Sequence, residues 1–189
     1  MGDLGGCTLS SALVLEPVSR HAFSVPAAMG SGSHASFCSI MFGATTEFFF
    51  RHLLGIQQAE HSRGYKHVVF RPSVLLSPAH LAICANLSSV QGTLLRPHGE
   101  IAASWACDSD TAAAKGVAYN VSVPIGVAAT VDLPLSAQGA KTIVKEGGVV
   151  IFDGAKQAGQ VAGVTSVTLA QDSLRVETVG AGQYRFRTQ

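Results

Sequence analysis

Between residues 35 and 55 the apolar side chains Phe37, Ile40, Ala44, Phe48 and Leu53 recur at three- to five-residue steps, with Met41 beside them. That stripe predicts a helix, because side chains three and four positions apart share one helical face. Ser33 or Ser36 can cap its start and Gly55 can end it. About 20 residues make such a helix ~30 Å long. Phe42, Phe49 and Phe50 fall outside the stripe, so the helix is apolar nearly all round and is expected to lie buried among other helices. No other stretch reads as a helix long enough to build that assembly. Its packing partner is therefore expected to be an upstream domain or a partner chain.

On either side of this helix the pattern differs. Upstream, Gly5-Gly6, Pro17, Pro26 and Gly30-Ser31-Gly32-Ser33 interrupt every short apolar run, so residues 1–34 read as irregular, with a brief strand or helical turn possible only around residues 11–15. Downstream of Gly64 short β-prone runs follow one another at 66–71, 81–87, 92–94, 101–107, 118–123, 128–133, 141–144, 149–152, 166–170, 173–179 and 183–187. Turn residues separate them at intervals of roughly 8 to 12, the spacing of a β-sandwich. Gly147-Gly148 and Asp172-Ser173 are candidate hairpin turns. The predicted fold class is mainly β: an antiparallel sandwich preceded by one long helix. Three parts are expected, an irregular segment at 1–34, the helix and a connecting loop at 35–63, and the sandwich at 64–189.

Composition narrows the function. Hydrophobic residues make up 47% of the 189 and charged residues 13%, against about 25% charged in ordinary globular chains. This excludes a disordered chain and calls for strands buried on both faces or for surface covered by another domain. The net charge is +1, and the 13 Lys and Arg are scattered, so no nucleic-acid partner is expected. The longest apolar run, residues 81–85, is far short of the ~20 residues of a membrane span, and Asp3 stands where a signal peptide would be basic. Cys7, Cys38, Cys84 and Cys107 lack any Cys-x-x-Cys or zinc-finger spacing, so they read as free, partly buried thiols and no metal is expected. Asn86-Leu87-Ser88 and Asn120-Val121-Ser122 fit the glycosylation acceptor pattern, which is too short to fix a compartment. Gly154-Ala155-Lys156 lacks the phosphate-loop spacing and Gly30-Ser31-Gly32-Ser33 is no nucleophile elbow. No cofactor is expected.

The order of short motifs resembles one family. Ser36-Phe37, Phe42-Gly43-Ala44, Glu47-Phe48, Leu54-Gly55-Ile56, Gly64-Tyr65-Lys66-His67 and Arg71-Pro72 resemble the end of the catalytic domain and the start of the C-terminal domain in bacterial α-L-rhamnosidases, glycoside hydrolase family 78. Ser89-Val90-Gln91-Gly92 with Ser104-Trp105 looks like a strand pair of that family, with residues 94–100 as an apparent insertion. Val121 to Pro134 and Val179-Gly180-Ala181-Gly182-Gln183-Tyr184-Arg185-Phe186 look like three of its later strands. The resemblance implies that the helix is the last of a six-hairpin α/α barrel, that residues 1–34 are a remnant of that barrel, and that the sandwich packs against it.

The same resemblance implies inverting hydrolysis by two carboxyl groups, one protonating the leaving oxygen and the other activating water, ~6.5–9.5 Å apart. The family's general acid lies upstream of everything matched here. Its general base corresponds to the region of residues 6–16, where Ser11 and Ala12 stand at the Trp-Glu positions. Glu16 is the one carboxylate a shift could bring there, so it is the candidate general base; otherwise it is a solvated carboxylate before Pro17. Ser39 replaces a sugar-contacting His, and His34 could substitute only if the helix began differently. Glu47 is expected to pair with Arg51 at i, i+4, Trp105 to fill the sandwich core, and His67 and Arg71 to tie sandwich to barrel. Together these imply the C-terminal part of an α-L-rhamnosidase-like hydrolase, inactive alone and binding a rhamnose-containing glycoside only with the barrel completed. The competing reading is a non-catalytic sandwich module that binds carbohydrate or a partner protein.

Overall fold

Alternation of buried positions with exposed or half-buried ones runs through residues 117–123 and 183–188, and it places one face of each strand against a shared interior. The computed structural model describes residues 11–17, 23–25, 45–76, 80–107, 116–135, 142–154, 156–170 and 173–188. Fourteen strands form two sheets among them. In chain order these are β1 (Ser11–Pro17), β2 (Phe23–Val25), β3 (Ile56–Gln58), β4 (His67–Phe70), β5 (Leu87–Arg96), β6 (Gly99–Cys107), β7 (Val117–Val123), β8 (Ala128–Pro134), β9 (Ile143–Glu146), β10 (Val149–Asp153), β11 (Lys156–Gln157), β12 (Val164–Leu169), β13 (Ser173–Val179) and β14 (Gly182–Thr188).

The large sheet has the order β11-β10-β9-β14-β7-β6-β5-β1-β2 and the small sheet the order β12-β13-β8-β4-β3. Every pairing is antiparallel except β4 with β8, which run parallel with His67 beside Ala128 and Phe70 beside Val131. Trp105, Tyr119 and Phe186 from the large sheet meet Phe70, Leu133 and Leu174 from the small one, all buried, to make a single core. The mainly β, antiparallel-rich sandwich matches the predicted class. Gly147 and Gly148, at φ 55° and 93°, make the two-residue turn between β9 and β10, both in the left-handed region that such a turn requires.

Several local readings change. Of residues 81–87, expected as a strand, all but the last are helical: α2 (His80–Asn86) follows the short α1 (Ser73–Leu76), and β5 begins only at Leu87. The run Leu81-Ala82-Ile83-Cys84-Ala85 has no period-two alternation and a single β-branched residue. Such a run cannot be told from a helix by pattern, and Ala and Leu favour the helix. Residues 94–100 form the end of an unbroken hairpin, with Leu94 opposite Ile101 and Arg96 opposite Gly99. The brief strand allowed near residue 11 is the seven-residue β1, paired with β5 from Ser11 opposite Leu94 to Pro17 opposite Leu87.

The reading of free thiols is corrected at two positions. Because α2 packs on β5, Cys84 reaches the end of β6 and is joined to Cys107 by a disulfide with a Cα–Cα distance of 5.7 Å. Cys7 and Cys38 lie outside the described residues.

Candidate functional site: a clamped helix end on the sandwich

The described part of the predicted helix is one α-helical turn at residues 45–48 followed by a π-helix, Phe49–Leu54. It ends where the stripe predicted, at Gly55, which adopts φ 90° and donates its N–H to Phe50 O. Gly55 is required twice over. A Cβ there would lie 2.3 Å from Pro72 N and 2.7 Å from Arg71 C, and its φ is one that only glycine adopts at no cost.

The last carbonyls of any helix have no partner inside it, and here the sandwich supplies them. Gln57 Nε2 donates to Arg51 O at 2.9 Å, Trp105 Nε1 to Leu53 O at 2.9 Å, and the Tyr119 hydroxyl to Leu54 O at 3.1 Å. Two of these donors come from fully buried aromatic rings on β6 and β7. The helix end is thus held by hydrogen bonds inside the core. Leu53 and Leu54 are buried, Phe49 and Phe50 half-buried, and Phe48 is 50% exposed. Among the described residues, the burial nearly all round expected from the sequence is met only in the final turn. Phe48 instead presents its ring to Phe49 and His52, at 6.1 and 5.5 Å between centroids.

Burial holds the Tyr119 hydroxyl well above the ordinary phenol range. Tyr184 is raised too, first by burial and then by the charge on Glu146, against a hydrogen bond with Thr178. Above pH 10 an unfolded chain loses these protons while the folded one keeps them, so stability is complete below pH 10 and falls as pH rises further. Each tyrosine contributes a slope of up to about 1.4 kcal/mol per pH unit. Urea titrations between pH 9 and 11 are expected to show a shallower loss in Tyr119→Phe than in the parent chain; identical slopes would mean that the hydroxyl is not desolvated.

A second polar cluster lies beside the clamp on the small sheet. Asp132, fully buried on β8, accepts two hydrogen bonds from its cross-strand neighbour Arg175, at 2.9 and 3.2 Å, and lies 3.8 Å from Arg71 Nη1. The hydrogen bond to Asp132 and its charge raise Arg175 above the usual guanidinium value. His67 Nε2 lies 2.8 Å from Thr130 Oγ1 on the same strand. Among the described residues His67 and Arg71 contact β8.

The other candidate residues fall apart in space. Glu47 pairs with Arg51 at 3.0 Å on the exposed side of the helix, as the i, i+4 spacing implied. Trp105 is the core residue expected. Glu16 sits on β1 with its backbone opposite Ser89; its side chain lies outside the described part of the structure. His34 and Ser39 lie outside the described residues. Among the described residues no group of three His, Cys, Asp or Glu could hold a metal, and no helix is long and apolar enough to cross a membrane. The sequence reading missed Tyr119, Gln57, Asp132 and Arg175; only Tyr119 carried a signal, as the inward aromatic of the alternating run Val117-Ala118-Tyr119-Asn120-Val121.

The clamp also coincides with a family boundary. Residues 55–148, starting at the cap glycine, match the family described as the bacterial alpha-L-rhamnosidase C-terminal domain. Among solved structures, the alpha-L-rhamnosidase from Dictyoglumus thermophilum is similar at a TM-score of 0.57 and 20% identity, over 79% of this chain and 14% of that one. The Streptomyces avermitilis alpha-L-rhamnosidase complexed with L-rhamnose is similar at a TM-score of 0.53 and 21% identity, over 78% of this chain and 11% of that one. At these identities the likeness is one of fold. This chain spans only a small part of either enzyme's length. No curated protein matches it. It is over residues 55–148, from the cap glycine on, that this chain is similar to the bacterial alpha-L-rhamnosidase C-terminal domain family.

Proposed function

We propose that this chain is the C-terminal part of an α-L-rhamnosidase-like glycoside hydrolase, that it serves there as the platform on which the end of a helical catalytic domain is seated, and that it does not hydrolyse rhamnosides alone. The observation that carries this reading is the clamp: Gln57, Trp105 and Tyr119 fix a helix terminus whose N-terminal side shows Phe48 to solvent. A half-exposed phenylalanine at the mouth of a rigidly held helix suits continuation into an apolar helical layer. Inverting hydrolysis needs two carboxyl groups across a sugar-sized gap. Of the carboxylates nearest the clamp, Glu47 is engaged by Arg51 and Asp132 by Arg175, so neither supports that pair.

The test is an assay of the purified chain on an aryl α-L-rhamnoside. No release of the aryl alcohol above buffer is expected, whereas release that disappears in Glu16→Gln would overturn the inactivity and assign Glu16 as a base.

A further inference from the structure

The outer face of the large sheet carries a feature that the clamp does not use. Strands β5, β6, β7 and β14 enclose a shallow groove of about 650 Å³. The register of these strands sorts its side chains into two rows. One row runs Gln91, Ser104, Asn120, Arg185; the next runs Thr93, Ala102, Ser122, Gln183. Neighbouring members of a row are one strand apart, ~4.8 Å, and the rows are ~6.8 Å apart. The small residues Ala102 and Ser104 form the floor, while Gln91, Asn120, Gln183 and Arg185 are exposed around them. Asn120 Nδ2 donates to Ser104 Oγ at 3.3 Å across two strands, which fixes the amide orientation.

The chemistry of this surface is unusual for the outside of a sandwich, where Lys and Glu are the common choices. Seven of the eight positions are amides, hydroxyls or a guanidinium able to hydrogen-bond, and none is a carboxylate. Positive charge gathers at one margin. Arg185 stands in the groove, and two residues along the same strand Arg187 lies in register with Lys145 on β9. Glu100 lies on the same face, one step along β6 from Ala102 at the β5–β6 turn, away from that margin.

We propose that this groove binds an acidic saccharide, with Arg185 taking the carboxylate and Gln91, Asn120 and Gln183 taking ring hydroxyls. A guanidinium matches a carboxylate in two parallel hydrogen bonds, and side-chain amides both donate to and accept from hydroxyls. The two rows offer donors and acceptors in a planar array, as a flat polyhydroxylated ring needs. A protein partner would call for an apolar or aromatic centre, which the outward side chains of the lining lack among the described residues. A nucleic acid would need cations along its whole length rather than at one margin. The inference is independent of whether the chain seats a catalytic domain, since the groove lies on the face opposite the core.

Isothermal titration of the purified chain with trigalacturonate tests it, alongside the neutral maltotriose and a glutamate oligomer of the same charge. Trigalacturonate is expected to bind saturably and about tenfold or more tighter than either control. Arg185→Ala is expected to weaken it by about 10- to 100-fold, the worth of a hydrogen bond to a charged group, and Gln91→Ala to weaken it by less. Both variants sit on exposed positions, so their melting temperatures should match the parent's. The proposal fails if trigalacturonate does not saturate, if the glutamate oligomer binds equally well, or if Arg185→Ala melts normally and binds unchanged.

Discussion

Replacing Trp105 by alanine is expected to destabilise the chain by about 4 kcal/mol, the largest effect of any single substitution in the core. Its ring is 1% exposed between the two sheets, and truncating a buried Trp leaves a cavity that its neighbours cannot fill. The loss is more than packing, because Leu53 O would keep no partner for the bond it now accepts at 2.9 Å, and a stranded buried acceptor costs about 1–3 kcal/mol. Trp105→Phe separates the two contributions: it retains most of the volume and loses the donor, so about half of the effect should remain. Thermal unfolding followed by circular dichroism reads both, and for a chain of this size the alanine variant should melt about 10 °C or more below the parent. A fall of only a few degrees would mean that the helix end is held by something other than this ring. Adding rhamnose should leave the fluorescence of the single tryptophan unchanged, since the ring is sealed from solvent.

The second large effect belongs to the disulfide. Cys84 and Cys107 are 23 positions apart, and closing a loop of that length stabilises a fold by about 3 kcal/mol in the chain-entropy description. The link ties α2 to the end of β6 and so closes the base of the long β5–β6 hairpin. Peptide mapping without reductant should recover a Cys84–Cys107 linked peptide. The paired substitution Cys84→Ala with Cys107→Ala should lower the urea midpoint by about 3 kcal/mol divided by the chain's m-value. Recovery of both cysteines as free thiols from unreduced protein would contradict the pairing.

Most of the sandwich was legible because its strands alternate. The runs near 101–107, 118–123, 128–133, 173–179 and 183–187 appear within one or two residues of where the pattern put them, since a one-residue slip would turn every buried side chain outward. What was hidden depended on partners distant in sequence. The disulfide could not be read from spacing, because only the fold of α2 onto β5 brings Cys84 near Cys107. Asp132 and Arg175 are 43 positions apart and meet only as cross-strand neighbours. Gly55 was readable as a helix stop, but its steric need is set by Arg71 and Pro72, which no local pattern could show. The motif order located the family, whereas the hydrogen bonds that make Trp105 matter lay beyond its reach.

The place of β14 has a consequence for how the protein is made. Residues 182–188 lie between β9 and β7 in the middle of the nine-stranded sheet. Until a ribosome has released them, β5, β6 and β7 can pair among themselves while β9, β10 and β11 have no neighbour to join. Two part-sheets with bare edges must therefore wait, exposed to pairing with other chains. Closure of the large sheet therefore waits for β14, and a truncation before Gly182 would leave two unjoined halves.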